Sequence, residues 1–61
     1  MEELFIHAEE ISKLLGISKS KAYKLIKELN DELKQKGFKT LNGKLSRKYF
    51  MERFYGLVES N

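Results

Sequence analysis

Ala8-Glu9-Glu10-Ile11-Ser12-Lys13-Leu14-Leu15-Gly16-Ile17-Ser18-Lys19-Ser20-Lys21-Ala22-Tyr23-Lys24-Leu25-Ile26 reads as two helices joined by a tight turn. Ala8, Ile11 and Leu15 recur at helical spacing with Leu14 beside them, which predicts a two-turn helix over 8–15. Glu9 and Glu10 fall in its first turn, where the helix dipole favours acids. His7 takes the capping place in the absence of Ser, Thr, Asp or Asn, as a mediocre cap rather than a ligand or base. Gly16 ends the helix in the left-handed conformation that glycine adopts cheaply. Ile17 follows as a buried plug, and Ser18 is a good N-cap for the next helix. From Ser18 to about Lys36, the residues Ala22, Leu25, Ile26, Leu29 and Leu33 lie within about 80° of a helical wheel, so one face is core. A short turn with glycine, a small residue (Ala22) that admits close approach of the two helices, and an apolar plug after the turn are the marks of a helix-turn-helix.

Outward from this segment, Gly37 is the expected C-cap of the second helix. Phe38–Leu41 and Lys44–Arg47 then flank Asn42-Gly43, a strong hairpin signal because both turn residues tolerate positive φ. A two-residue turn pairs Leu41 with Lys44, Thr40 with Leu45 and Phe38 with Arg47. That register turns Phe38, Thr40 and Leu45 toward the core and Lys39, Leu41, Lys44 and Ser46 outward. Ser46 can cap a last short helix, ended by Gly56, in which Phe50, Phe54 and Leu57 form one apolar stripe. Tyr49, Met51 and Tyr55 lie on its other sides, and Met51 or Tyr55 is available to a partner. The fold class expected is mainly α with a small β-hairpin, a single domain over 1–61.

The chain has 61 residues, no Cys, no Pro and one His, so disulfides and a zinc site are excluded and no cofactor is expected. A chain this short buries roughly 60% of the surface that its unfolded state exposes, which leaves little room for the walls of a catalytic pocket. We therefore expect no enzyme. Apolar runs of two or three residues span no bilayer and form no signal peptide, and a reducing cytoplasm suits the composition.

Net charge is only +3, yet it is segregated. Residues 1–12 carry −4 and residues 13–27 carry +5; residues 28–36 carry −1, 37–48 carry +4 and 49–61 carry −1. Two basic blocks separated by an acid-leaning one suit two contact points on a polyanion, the bland alternative being lysines solvated over helix faces. Lys19 and Lys21 stand in the first turn of the second helix, where the dipole disfavours cations. A phosphate docked there would accept hydrogen bonds from the free N–H groups and pair with both lysines, turning a local conflict into a binding site. Ser20, Tyr23, Lys24 and Lys27 share the exposed side.

The order helix, turn, helix, Asn-Gly hairpin, short aromatic helix resembles the small winged-helix excisionases and their MerR-like relatives, found on phages and integrative elements of Gram-positive bacteria. The resemblance covers roughly residues 4–57. It rests on Glu9 to Ile26, on Leu41-Asn42-Gly43-Lys44-Leu45, and on Arg47-Lys48-Tyr49-Phe50-Met51-Glu52-Arg53-Phe54-Tyr55-Gly56. It implies a winged helix-turn-helix whose second helix enters the major groove of double-stranded DNA, with the hairpin as a wing against the minor groove or backbone and no catalytic residue. Carried over, Ser18, Lys19, Ser20, Lys21, Tyr23, Lys24 and Lys27 are the helix contacts, and Lys39, Lys44 and Arg47 the wing contacts. Two departures stand out: Lys and Leu occupy wing positions where similar excisionases often place Arg or an aromatic, and the second helix runs on through Asn30 to Lys36.

The function expected is an architectural DNA-binding factor that bends a recombination site and directs an integrase toward excision, with weak self-association on DNA. A small transcriptional regulator shares the fold, and a protein-interaction module using the aromatics of residues 49–55 is a reading from another class. What leans toward the excisionase is the lack of an effector domain or a long dimerisation helix in the 61 residues.

Overall fold

Ile6 and Leu45, both fully excluded from solvent, face each other across a two-stranded antiparallel sheet. The computed structural model describes residues 3–54. In chain order these form β1 (Phe5–His7), α1 (Ala8–Leu15), α2 (Lys19–Gln35), β2 (Lys44–Ser46) and α3 (Arg47–Arg53). The mainly α architecture with a small antiparallel β element is compatible with the expected winged helix-turn-helix.

The helix-turn-helix forms as its spacing predicts. His7 precedes α1 without a side-chain cap bond, and Gly16 closes the helix at φ 68°. The turn is held twice over: the Ile17 N–H donates to the Ser12 carbonyl at 3.2 Å, and the Ser12 hydroxyl donates to the Ile17 carbonyl at 2.6 Å. Ser18 caps α2, its hydroxyl accepting from the Lys21 N–H at 3.1 Å. Ala22 is wholly buried where the two helices meet, while Ile17 and Leu25 pack against the core half-buried. At the other end of α2, the Gly37 N–H donates to the Lys34 carbonyl and the Phe38 N–H to the Leu33 carbonyl. This is a Schellman closure, with Gly37 at φ 93°.

The wing differs from the expected hairpin in its partner. The Asn42-Gly43 turn forms, with Gly43 at φ 78°, and Leu41 bridges Lys44 as expected. Pairing on that edge stops there, and the opposite edge of β2 pairs with β1, with Phe5 opposite Ser46, Ile6 opposite Leu45 and His7 opposite Lys44. Ile6, fully buried, is the residue that faces Leu45 in the ladder, and Thr40, expected in the core, is only half-buried. Phe38 is not in the core. Its N–H is spent on the α2 cap, which fixes the chain direction there, and its ring is 61% exposed.

Tyr49 also departs from the sequence reading. It is buried beside Phe50, since its hydroxyl donates to Glu32 Oε1 at 2.6 Å and the ring therefore enters the core with its polar end satisfied. Phe50 is wholly buried and stacks at a tilt on Phe54, ring centroids 4.9 Å apart. Met51 is half-buried against the core. Tyr55, Gly56 and Leu57 lie outside the described residues. The Ser46 hydroxyl caps α3 by accepting from the Tyr49 N–H at 3.1 Å.

Candidate nucleic-acid interface

Ser18, Lys19, Ser20, Lys21, Tyr23, Lys24 and Lys27 are all exposed. The first intrahelical bond runs from the Ala22 N–H to the Ser18 carbonyl at 3.0 Å, so the N–H groups of Lys19 and Ser20 precede the helical ladder. Ser18 supplies the cap, with Lys19 and Lys21 on either side of the helix end. Successive turns then present Ser20, Tyr23, Lys24 and Lys27 along one face. Tyr23 is 54% exposed, a large aromatic that the core does not use. Lys27 lies 4.0 Å from Asp31, an exposed pair worth little in water and readily exchanged for another anion.

The wing turn stands beside this face. Tyr23, Lys27, Asn30 and Lys34 of α2 and Thr40, Asn42 and Gly43 of the wing line one shallow groove. Asn30 holds it together. Its side-chain amide, buried at 7% exposure, donates to the Leu41 carbonyl at 3.1 Å and to the Lys44 carbonyl at 2.8 Å, one bond to each side of the turn. Both donors of the amide are used, so the turn is fixed against the middle of α2. Asn30 was absent from the sequence-based set. The available signal was a lone amide at the border of the apolar face of α2, between Ile26 and Leu33, where a polar residue needs a partner.

Lys44, at the start of β2, is exposed next to the clamped turn, and Lys39 is exposed in the preceding segment. Arg47 is different. Its guanidinium donates to both Glu10 carboxylate oxygens at 2.9 Å, to the Glu3 carbonyl at 2.8 Å and to the Phe5 carbonyl at 3.4 Å, and the side chain is 14% exposed. Its own N–H donates to the Leu4 carbonyl at 2.9 Å. The arginine expected on the wing surface is instead a fastener between α3, β1 and α1. These bonds hold the Glu10 carboxyl below its usual range, the Arg47 hydrogen bonds outweighing the opposing effect of burial.

A second ionic cluster joins the far end of α2 to α3. Arg53 donates to both Glu32 oxygens at 3.1 Å, Tyr49 adds its hydroxyl, and Lys36 lies 4.9 Å over the Tyr49 ring. The Arg53 and Tyr49 hydrogen bonds lower the Glu32 carboxyl to about 2. Among the described residues no group of three or more His, Cys, Asp or Glu side chains is placed to hold a metal ion. No described helix is long and apolar enough to cross a membrane.

The ICEBs1 excisionase of Bacillus subtilis (strain 168) is 38% identical to this chain over 52 residues, which are 85% of the chain and 81% of that protein. The chain belongs to the excisionase family. It is thereby a small excisionase of the kind carried by integrative elements, and a recombination directionality factor by class. No family model matches it, and no solved structure matches it.

Proposed function

We propose that the protein is a non-catalytic, sequence-specific DNA-binding architectural factor that bends a recombination site and directs an integrase toward excision. The observation that carries this reading is the wing turn clamped by Asn30 beside the exposed lysine-bearing face of α2, in a chain akin to an excisionase. In this arrangement α2 enters the major groove. Lys19 and Lys21 meet a phosphate at its N-terminus, with Ser18 capping the helix and Ser20 at the groove edge. Tyr23, Lys24 and Lys27 follow the groove, and Lys44 and Lys39 take the backbone on the wing side. Arg47 is not among the contacts, because its donors are engaged within the fold.

One domain of this size reads only a few base pairs, too little for tight specific binding alone. Several copies therefore fill adjacent sites, touching through weak contacts, and share the cost of bending, on the order of 1–6 kcal/mol for a 20–30 base-pair site. Selecting sites from a random DNA pool, followed by gel-shift titration and circular-permutation bending assays, tests this. Stepwise cooperative complexes with position-dependent mobility are expected. A single complex of a two-fold dimer on straight palindromic DNA would replace this function with that of a repressor.

A further inference from the structure

The end of α2 and the exposed side of α3 enclose an open cleft of about 400 Å³ that shares only Lys39 with the DNA contacts proposed above. Leu33 and Tyr49 give it an apolar interior, and Phe38 stands at its edge with its ring 61% exposed. Lys36, Lys39 and Lys48 also line it, against a single acid, Glu52. Phe38 is put there by the cap of α2 and contributes little to the protein's own core. An exposed aromatic beside an apolar cleft with a cationic rim has the anatomy of a small protein-binding hot spot.

We propose that this cleft binds a short acidic segment of a partner protein bearing one aromatic or aliphatic side chain. That side chain enters between Phe38 and Tyr49, while the carboxylates around it pair with Lys36, Lys39 and Lys48. Charge complementarity selects an acidic occupant, and the apolar interior selects a peptide over a phosphate backbone, which offers no side chain to fill it. The cleft is also remote from the N-terminus of α2, Lys36 lying about 22 Å further along the helix axis than Lys21. The inference stands whether or not α2 reads DNA.

The test is a nuclear magnetic resonance titration of the full ¹⁵N-labelled chain with two synthetic peptides of alternating Asp and Glu, one with a central Phe and one with a central Ser. The Phe peptide should shift the amides of residues 36–39 and 48–52 and bind about tenfold more tightly than the Ser peptide, the difference a buried anchor makes. Phe38→Ser, at an exposed position, should keep the fold and the DNA affinity and lose that tenfold preference; Lys48→Glu should weaken both peptides. Absence of shifts at millimolar peptide, or equal binding of the two peptides, would overturn the proposal. Dilution-dependent shifts without peptide, lost in Phe38→Ser, would assign the cleft to a second copy of the chain and overturn it too. Loss of DNA affinity in Phe38→Ser would assign it to DNA instead.

Discussion

The Asn30 side-chain amide donates to the Lys44 carbonyl at 2.8 Å, tying the middle of α2 to the residue that leaves the wing turn. The same amide reaches the Leu41 carbonyl on the entering side, so the separation of helix and wing is set by one side chain. Any ligand that touches both elements must meet them at that separation.

Asn30→Ala should destabilise the fold by about 1–3 kcal/mol, because it removes two hydrogen bonds to partly buried carbonyls. If Asn30 also places Lys44 on the DNA backbone, the affinity losses of Asn30→Ala and Lys44→Ala will be less than additive, measured well below the melting temperature. Strict additivity would restrict Asn30 to a stabilising role.

With about four to six lysines on phosphates, log affinity for DNA should fall against log salt with a slope of about −4 to −5. Lys21→Ala and Lys44→Ala should each flatten the slope by about one unit. Arg47→Ala should leave it unchanged while lowering thermal stability, since its guanidinium is bound to Glu10 and to backbone carbonyls. A flatter slope in Arg47→Ala would return that residue to the interface.

Ala22→Leu should cost about 1–3 kcal/mol by overpacking the contact between α1 and α2, a large share of the stability of so small a domain. Tyr23→Ala, at the neighbouring exposed position, should barely move the melting temperature while weakening DNA binding. Equal destabilisation by the two substitutions would place Tyr23 in the core.

Stability should fall on acidification in two carboxylate-dependent ways. Glu10 and Glu32 both titrate below their ordinary value in the folded protein, so each favours the folded state above the unfolded carboxylate range. That contribution is lost as the pH drops from the ordinary value of 4.5 toward about 2 in the case of Glu32. Melting curves across this window should show a shallower acid limb for Glu32→Gln than for the unaltered chain. An unchanged limb would mean that the Arg53 and Tyr49 bonds to Glu32 do not persist in solution.

The helices were legible in the sequence because their signals are local: apolar spacing, the Ser18 and Ser46 caps, and glycines at 16 and 37. The partner of β2 was not, because Leu4, Phe5 and Ile6 form too short a run to show alternation, while Asn42-Gly43 advertises a hairpin that closes by a single bridge. The exposed lysines of α2 follow from the helical wheel. The roles of Asn30, Tyr49 and Arg47 depend on partners 11 to 44 positions away, which no local pattern encodes. Arg47 was assigned to the wing surface only by the family resemblance, and in the fold its guanidinium is bound to the Glu10 carboxylate.

Arg47 reaches the carbonyl of Phe5 from 42 positions along the chain, and β1 finds β2 across nearly the same distance. Contacts within the helix-turn-helix close short loops, whereas the sheet must bring distant segments together against a larger entropic cost. Contact separation therefore predicts that the two helices pair early in folding and the β1–β2 ladder late. On that order α2 is in place before the Asn42-Gly43 turn is fixed beside it, and the separation between the two is set only once the segment carrying Lys44 to Arg47 has docked.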